Sequence, residues 1–387
     1  MNVLLLTQFF STTRGGGEYV FYIIAKKLAE NNHKVWVITN RIKGEQYKDE
    51  KNIRLVFVPP TLEYKGGLPP TFSDNIRYSI NAITNGLKII KKEKIDIIQS
   101  NNFAPAFSGS ILSTLTSKPH ITTIHDVFSL GGKDYWKKWA KQNNVSQINA
   151  NLAPIFERLM KYFRYNCIHT GSEATKDDLL EFGIKKPINV IPYSIEFSEP
   201  RVEKFNRFQF IFVGRLVFYK NLEVLINAID LIRKKEPKVK LKIIGDGPYK
   251  QFLQNFSKKL HLEDSIEFTG YVSKEEKEKL ISESNAMVFP SLFEGFGLVI
   301  LEAFAQNKSV IVSDLRPMSD IILHEKTGFV LNPQKPEEWA EHMLRLIENP
   351  QMADMMGKEG NKVLKEKYNP DLMYQKIVKM YDSVCKN

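Results

Sequence analysis

The chain has 387 residues, which is long for one domain and suits two domains of about 190 residues each. With 43% apolar and 26% charged residues, both domains can bury a core, and the composition excludes a largely disordered chain. Two cysteines, Cys167 and Cys385, exclude a disulfide framework and favour a reducing, cytoplasmic compartment. The net charge of +11 is uneven, because residues 1–195 hold 26 basic and 16 acidic residues whereas residues 196–387 hold 29 and 28.

The first half of the chain alternates short apolar runs with longer amphipathic stretches. The first run, VLLLTQ, lacks the basic start and the cleavage site of a signal peptide, and no apolar run approaches the ~20 residues that span a bilayer. We therefore expect a soluble or peripheral protein. Strands buried on both faces are predicted at 3–8, 34–39, 53–58, 96–100, 121–125, 167–171 and 189–193. Helices are predicted at 18–31, 74–92 and 173–182.

The same alternation restarts after a polar joint at 194–208. Strands are predicted at 208–214, 239–245, 265–270, 285–290 and 309–314, with helices that start near Asn221, Pro248, Ser273 and Gly297. Two tail helices are predicted at about 350–366 and 370–385. The pattern indicates an α/β protein with two doubly wound, Rossmann-like domains, 1–195 and 196–369. Ligands are expected in a cleft that faces the carboxyl ends of both sets of strands.

The most informative motif is FPSLFEGFGLVILEAFAQ at 289–306, where a strand, a loop and a helix follow one another. The loop carries Glu294, which is followed by Gly295, Phe296, Gly297 and Leu298. The two glycines of this run allow the backbone to approach a ligand closely. The helix start offers N–H groups to a diphosphate. Glu302 lies farther along the helix, where it could bind ribose hydroxyls, while Glu294 could contact a sugar. The alternative is a glycine-rich turn with one solvated and one capping glutamate.

Two further turns lie at carboxyl ends of predicted strands. In VGRLVFYKN, Arg215 and Lys220 flank the turn, and two cations there suit the charge that builds on a departing diphosphate. An ordinary surface pair is the alternative. In IGDGPYK, Gly245 and Gly247 suit a tight turn beneath a nucleotide, although many strand–helix turns have this composition.

The first half contributes two candidate groups. Gly16 and Gly17, with Gly15 and Arg14 before them, would permit close approach to a phosphate or a sugar, but they do not form the dinucleotide-binding pattern G-x-G-x-x-G. A flexible loop is the alternative. His125, followed by Asp126, lies at the carboxyl end of a predicted strand and is expected to point into the cleft, although an isolated histidine is more often structural.

Several motifs are absent from the sequence. It has no P-loop, no serine nucleophile elbow, no His/Cys cluster with metal spacing and no Asp-x-Asp pair. Phosphoryl transfer and metal-assisted sugar transfer therefore lose support, and no metal site is expected. Nucleic acid is not expected as a partner either, because the basic residues are scattered over many helices.

At these residues the chain resembles family 4 of the glycosyltransferases, which are retaining enzymes with the GT-B fold. The resemblance extends over nearly the whole chain and keeps the family order of motifs: GGGE (15–18), HD (125–126), GSEATKDDLLEFG (171–183), NVIPYS (189–194), GRLVFYKN (214–221), GDGP (245–248), FTGYV (268–272) and FEGFGLVILEA (293–303). It implies a sugar transferred from a nucleoside diphosphate, most often UDP, with the nucleotide sugar as co-substrate and no other cofactor.

The resemblance also implies roles for individual residues. Arg215 and Lys220 would bind the diphosphate, Glu302 the ribose, and Glu294 the transferred sugar. The Gly16–Gly17 backbone would approach the phosphate or the acceptor, and His125 the sugar near the reacting carbon. The helix at 370–384 would pack back on the N-terminal domain.

The chain departs from the family pattern at two places. Asp320 stands where members commonly have a glutamate, and Tyr193-Ser194 replaces a pair that ends in glycine. Two other functions remain open. One is a non-hydrolysing nucleotide-sugar epimerase, although such epimerases lack the combination seen here of the GRLVFYKN motif with the Glu294 and Glu302 pair. The other is a non-catalytic nucleotide-sugar-binding subunit.

The acceptor is expected to be a glycan or a lipid-linked molecule of a surface polysaccharide or glycolipid. Residues 133–165 combine lysines with aromatic residues, and Trp136 and Trp139 would share one face of a helix. Such a helix can bind an anionic membrane surface, which predicts a peripheral enzyme at the inner face of the plasma membrane. The alternative is a helix that packs its tryptophans inward and leaves its lysines in solvent.

Overall fold

A computed structural model describes residues 1–11, 16–47, 50–63, 71–131, 135–142, 146–200 and 205–386, with the backbone alone at 147–150. Within these ranges the chain forms two compact units, one of Met1–Ser194 with Pro370–Asn387 and the other of Ile195–Asn369. Arg14 and Gly15 of the glycine-rich stretch lie outside the described residues, as do Lys133 and Asp134.

The first unit is built on a seven-stranded sheet in which every paired strand is parallel. The order is β3-β2-β1-β4-β5-β6-β7, and the strands are β1 (Asn2–Leu6), β2 (Lys34–Ile42), β3 (Ile53–Leu62), β4 (Ile97–Ser100), β5 (His120–Thr123), β6 (Cys167–Thr170) and β7 (Ile188–Val190). The central strands are buried on both faces, as predicted, but the edge strands β3 and β7 are only partly buried. An edge strand has a neighbour on one side alone, so its apolar residues are less enclosed.

Six helices of the first unit precede the linker: α1 (Gly17–Glu30), α2 (Phe72–Glu93), α3 (Ala104–Thr116), α4 (Tyr135–Gln142), α5 (Gln147–Leu159) and α6 (Glu173–Glu181). Helices α1, α2, α3 and α6 pack on strands of the sheet, whereas α4 and α5 pack on each other. For example, Tyr78, Ala82 and Ile90 of α2 pack on Leu4 and Trp36 of the strands. The helices α3 and α5 were not predicted, while α4 contains the tryptophan pair that the sequence analysis placed on a helix. Helix α3 is rich in serine and mostly buried, so it shows no clear apolar stripe.

The second unit has a six-stranded parallel sheet in the order β10-β9-β8-β11-β12-β13. Its strands are β8 (Asn206–Val213), β9 (Lys240–Ile244), β10 (Ile266–Gly270), β11 (Ser284–Phe289), β12 (Ser309–Ser313) and β13 (Gly328–Leu331). Its helices are α7 (Leu222–Arg233), α8 (Lys250–Lys259), α9 (Lys274–Glu283), α10 (Leu298–Ala305), α11 (Met318–Ile321), α12 (Pro336–Glu348) and α13 (Pro350–Lys367). The strand β13 and the helices α11 and α12 were not predicted.

The last helix, α14 (Pro370–Cys385), returns to the first unit. Asp371 forms an ion pair with Lys27 at 2.6 Å, and the hydroxyl of Tyr374 lies 3.1 Å from Nε2 of His33. Tyr381 is fully buried and donates a hydrogen bond to Gln99 of β4. The helix is thus held by contacts near both its ends.

Each sheet has one point at which the strand order reverses direction. In the first unit this point lies between β1 and β4, and in the second it lies between β8 and β11. The loops that leave two such neighbouring strands run to opposite faces of the sheet and leave a crevice at the carboxyl ends, which is where open α/β sheets bind ligands. Gly16 and Gly17 follow β1, while Arg215 and Glu294 follow β8 and β11.

Candidate active site

The loop after β8 carries Arg215 and is held by the neighbouring loop after β9. The backbone N–H of Gly214 donates to Ile244, and that of Leu216 donates to Asp246, both at 3.0 Å. Gly245 has a φ of +131°, and a Cβ on it would lie 1.9 Å from the carbonyl oxygen of Gly214. Glycine here lets the two loops pack backbone to backbone.

Gly247 is restricted in the same way, because a Cβ on it would lie 2.3 Å from the carbonyl oxygen of Leu216. We predicted both Gly245 and Gly247 beneath a nucleotide. In the structure their immediate effect is to position the segment that carries Arg215.

Lys220 and Glu294 form an ion pair, although the sequence analysis assigned them to different parts of the donor. Lys220 lies on a short 3-10 turn before α7, and its side chain is 10% exposed, against 15% for Glu294. The ammonium also lies 5.0 Å from the ring of Phe289, and the hydroxyl of Ser291 donates to Glu294 at 2.9 Å. A buried pair of this kind is costly to break from one side, because the remaining charge is left without compensation.

The loop after β11 ends in a left-handed turn at Gly297, with φ +93°, that starts α10. No described side chain caps this helix start, so the first N–H groups of α10, from Leu298 onward, have no side-chain acceptor. Phe296 is buried and packs edge-on against Tyr368 at 5.9 Å, which anchors the loop that contains Gly295. The helix start therefore offers donors and a positive dipole end to an anion.

Glu302 lies on α10, and only one of its two carboxylate oxygens has a hydrogen-bond partner among the described residues. One carboxylate oxygen, Oε1, accepts a hydrogen bond from Lys277 of α9 at 2.7 Å. The other, Oε2, is buried and has no hydrogen-bond partner among the described residues. A buried carboxylate oxygen of this kind is available to a ligand hydroxyl.

In the first unit, His125 follows β5 and lies against the start of α1. Its Nδ1 is 2.8 Å from the hydroxyl of Tyr193, and a Cβ added to Gly17 would lie 2.7 Å from its Nε2. A Cβ added to Gly16, in contrast, would have no atom of the described residues within 4 Å. Burial, with a smaller effect from His169, lowers the pKa of His125 to about 3, so the imidazole is neutral at physiological pH.

Two other features noted in the sequence, Asp320 and the tryptophan pair of α4, have contacts that the sequence did not indicate. Asp320 forms an exposed ion pair with Arg316 at 2.8 Å. In α4, Trp139 is only 6% exposed, and Trp136 packs edge-on against it at 5.6 Å and against Phe128 at 5.6 Å. The two tryptophans share one side of the helix, as predicted, but Trp139 is buried and Trp136 is half-buried, so the pair does not form a fully exposed aromatic face.

Within the described ranges, no group of three or more His, Cys, Asp and Glu side chains is placed to hold a metal ion. In the same part of the chain, no helix is both long and apolar enough to cross a membrane.

Four contacts among the described residues of the site were not predicted: Lys220 with Glu294, Lys277 with Glu302, Ser291 with Glu294, and Tyr193 with His125. Ser291 and Glu294 are three positions apart in one loop, whereas the other three contacts join distant segments that only the tertiary fold brings together. Tyr193 was noted in the sequence only because Ser194 follows it in place of a glycine. In chemical terms, the second unit offers two cations, a helix start and two carboxylates at one edge of a parallel sheet. That set suits a nucleoside diphosphate linked to a hydroxyl-rich group.

The fold is the GT-B fold of two Rossmann-like units. Sucrose-phosphate synthase from Thermosynechococcus elongatus is similar with a TM-score of 0.80 at 18% identity, over 99% of this chain and 98% of the other. HepE from Anabaena, solved in complex with UDP and glucose, gives a TM-score of 0.70 at 17% identity, over 99% and 100%. These likenesses show the fold.

Family models match both halves of the chain. The model described as Glycosyltransferase Family 4 matches residues 14–199, and that described as Glycosyl transferases group 1 matches residues 195–363. Among curated relatives, an alpha-monoglucosyldiacylglycerol synthase of Streptococcus pneumoniae is 24% identical over 352 residues, which cover 85% of this chain and 74% of the relative. The chain belongs to the family 4 glycosyltransferases.

Proposed function

We propose that the protein is a retaining, metal-independent glycosyltransferase that transfers a sugar from a UDP-sugar to a glycan or a lipid-linked acceptor. The observation that carries this proposal is the convergence of Arg215, Lys220, Glu294 and Glu302 with the start of α10 at the strand reversal of the second unit. The choice of UDP is supported by HepE, whose structure contains UDP and glucose.

In this proposal the bond between the sugar C1 and the diphosphate oxygen breaks while a bond from the acceptor oxygen to C1 forms on the same face. The acceptor proton passes to the leaving diphosphate. Arg215 and Lys220 stabilise the negative charge that grows on the leaving group, and such stabilisation accelerates the reaction only where it increases in the transition state. Glu302 binds the ribose and Glu294 the sugar, while His125 contacts the sugar near C1. No cofactor or metal ion takes part.

A panel of UDP-, GDP- and ADP-sugars tests the proposal, with thermal shift for binding and nucleotide release for turnover. A bound donor at 100 times its Kd adds about 2.7 kcal/mol of stability. We expect UDP release that EDTA leaves unchanged, and a fall in kcat on the order of 10²-fold in Lys220→Met. Lys242→Met, which removes an ion pair with Glu267 on the same sheet, is the matched control.

Two results would contradict the proposal. Activity that disappears on chelation and returns with Mn²⁺ would replace the metal-independent mechanism. Binding without release for every donor and acceptor tried would favour a non-catalytic subunit.

For the acceptor, we propose a lipid-linked molecule that the enzyme reaches as a peripheral protein on the cytoplasmic face of the plasma membrane. The relative from Streptococcus pneumoniae is named for a glycolipid product, which supports this choice. The sequence analysis placed the membrane contact within 133–165. Because Trp139 is buried and Trp136 is half-buried, we look for the contact among exposed residues of the first unit as a whole.

A different surface of the first unit has the required chemistry. It comprises exposed apolar side chains of α2 and α5, here called the basic-apolar face: Phe72, Ile76, Ile80, Ile155 and Leu159. Ile80 is 60% exposed and Ile155 50%. The two helices meet where Phe72 packs edge-on against Phe156 at 5.7 Å.

The fully exposed charges on the two helices of the basic-apolar face have one sign. The exposed charged side chains described on α2 and α5 are all basic, namely Arg77, Lys88, Lys91, Lys92 and Arg158, while Asp74 and Glu93 of α2 are half-buried. Exposed apolar and basic side chains on the same helices fit an anionic lipid bilayer, where each nearby Lys or Arg contributes about 1 kcal/mol. We therefore assign the membrane contact to this face.

Co-sedimentation with phosphatidylglycerol vesicles tests the assignment, with phosphatidylcholine vesicles for comparison. The wild type should bind the anionic vesicles, and salt should weaken the binding because exposed charges are screened. The double variant Ile76→Asn/Ile80→Asn should bind the anionic vesicles at least about tenfold more weakly than the wild type. Leu180→Asn is the matched control, since Leu180 is an exposed leucine of the same unit at 52%.

The assignment is overturned if the wild type ignores anionic vesicles at low salt, or if the double variant binds as well as the control. If the wild type is instead a dimer in solution that the double variant dissociates, the basic-apolar face is a contact between two copies of the chain.

A further inference from the structure

Tyr193 lies in the segment after β7, and its ring is buried between two histidine rings of the first unit. The centroid of the tyrosine ring is 5.2 Å from that of His125 and 5.6 Å from that of His169. On another side stands Gly171, where a Cβ would lie 2.5 Å from the tyrosine ring. The enclosure leaves the phenol one orientation, in which its hydroxyl meets His125.

In the hydrogen bond between Tyr193 and His125, we assign the phenol as the donor. Burial, with a smaller effect from the charge of Asp126, raises the pKa of Tyr193 well above 10, so the phenol keeps its proton. The phenol oxygen lies 2.8 Å from Nδ1 of His125, a nitrogen that can accept that proton.

This direction determines where the neutral imidazole carries its own proton. Because Nδ1 accepts from the phenol, the ring proton is on Nε2. That nitrogen is buried, lies against Gly17 and has no hydrogen-bond partner among the described residues. An N–H group in such a position is suited to donate to an oxygen of a bound substrate.

We propose that Tyr193 is a positioning residue for the transferase: it orients the His125 ring and keeps the ring proton on Nε2, so that His125 donates a hydrogen bond to a substrate oxygen and does not act as a base. This inference rests on the proposed function, since it needs a substrate oxygen at His125. It assigns Tyr193, the first residue of the Tyr193-Ser194 pair, to the chemistry of the site.

The same arrangement continues from Tyr193 to the last helix. Nε2 of His169 lies 3.2 Å from the carbonyl of Ile191 and donates to it, so Nδ1 of His169 is an acceptor. The side-chain amide of Gln99 donates to that Nδ1 at 3.4 Å, and the carbonyl of the same amide accepts from Tyr381 of α14. The helix α14 thereby orients Gln99 and His169, and His169 forms one wall of the Tyr193 site.

Nitrogen NMR of a protein with ¹⁵N-labelled histidine rings tests the proposal, because the two tautomers have distinct ring-nitrogen shifts. The signals of His125 are those missing from His125→Gln. We expect the wild type to carry its proton on Nε2 alone and Tyr193→Phe to show both tautomers. In that variant kcat should fall about tenfold with KM for the donor nearly unchanged, because one hydrogen bond that aligns the ring is lost.

Tyr165→Phe is the matched control, since Tyr165 is another buried tyrosine of the first unit and its hydroxyl has no hydrogen-bond partner among the described residues. It should change neither the tautomer nor kcat.

The proposal is overturned if the wild-type proton is on Nδ1, a result that needs no variant to fold. It is also overturned if Tyr193→Phe keeps both the single tautomer and the wild-type kcat. A protein that shows the expected tautomers but transfers no sugar would refute the proposed function and leave the role of Tyr193 in orienting His125 intact.

Discussion

Glu302 and Glu294 differ in what each carboxylate already contacts. Glu302 has one oxygen bound to Lys277 and one with no hydrogen-bond partner in the described parts of the chain, whereas Glu294 is paired with Lys220 and accepts from Ser291. A ligand hydroxyl can therefore bind Glu302 without displacing a residue. At Glu294, a ligand must exchange with a cation.

Substitution of the two glutamates by glutamine should separate these roles. In Glu302→Gln we expect free UDP to bind about 10- to 100-fold more weakly, because a charge-assisted hydrogen bond to the ribose is lost. In Glu294→Gln we expect UDP to bind as well as in the wild type or better, because Lys220 is released for the diphosphate, while sugar transfer slows. Calorimetry with UDP and initial rates with the UDP-sugar measure the two effects. Equal losses of UDP affinity in both variants would show that the roles are wrongly divided.

The sequence was sufficient to predict which site residues lie at the ends of strands, but not which side chains they contact. Arg215, Lys220 and Glu294 were identified because each lies just after a run that reads as a buried strand. The Lys220–Glu294 pair joins residues 74 positions apart, and no local pattern encodes such a contact. Lys277 lies on a helix crowded with charges, so nothing in the sequence distinguishes it from its neighbours.

At the level of elements, the turn from β1 into α1 contains two glycines with different constraints. A methyl group on Gly17 would overlap the ring of His125, whereas one on Gly16 would meet no atom within 4 Å in the part of the chain that the structure describes. Gly16 also has a φ of −94°, which other residues adopt without strain.

We therefore expect Gly17→Ala to displace the His125 ring, with a loss of about 1–3 kcal/mol of stability as for other overpacked sites, and to lower kcat. Gly16→Ala should keep the stability within about 0.5 kcal/mol, as at open surface sites. Unfolding in urea measures the first effect, and nucleotide release the second. If Gly16→Ala folds normally but loses activity, the substrate approaches that glycine. If Gly17→Ala matches the wild type in both measurements, the packing of His125 against this turn does not matter to the reaction.

Which elements could be predicted depended on burial. Parallel strands buried on both faces appear as continuous apolar runs, so most strands of the two sheets were located from the sequence. The short strand β13 and the mostly buried helix α3 were missed. In α3, serines and glycine occupy buried positions, and the 3.6-residue period of apolar side chains disappears.

For the whole molecule, the buried histidines make the stability of one unit sensitive to acid. Burial lowers the pKa of His120 to about 4, that of His125 to about 3 and that of His169 to about 4, from an ordinary value of 6.5. All three lie in the first unit. Below pH 6.5 the unfolded chain binds protons that the folded unit does not, so stability is full above that pH and is lost as the pH falls.

We expect each of these histidines to remove roughly 1.4 kcal/mol of stability per pH unit between pH 6.5 and its folded pKa. Thermal unfolding of the full chain at pH 7.5 and pH 5.5 should show a transition of the first unit that shifts down more than that of the second. Repeating the scans at high salt is the control, because salt screens the net charge of +11 and does not change burial. A first-unit transition that stays constant down to pH 5.5 would contradict the burial of these rings.

The ion pair of Lys220 and Glu294 also affects how the site is emptied after reaction. A buried ammonium that lost its diphosphate and had no other anion would be left desolvated, and that cost would slow the departure of the product. Glu294 supplies a replacement anion from within the protein, attached to the loop after β11. In the proposed mechanism, Lys220 therefore keeps a partner after the product leaves, and the chain itself competes with the spent nucleotide for the lysine on every turnover.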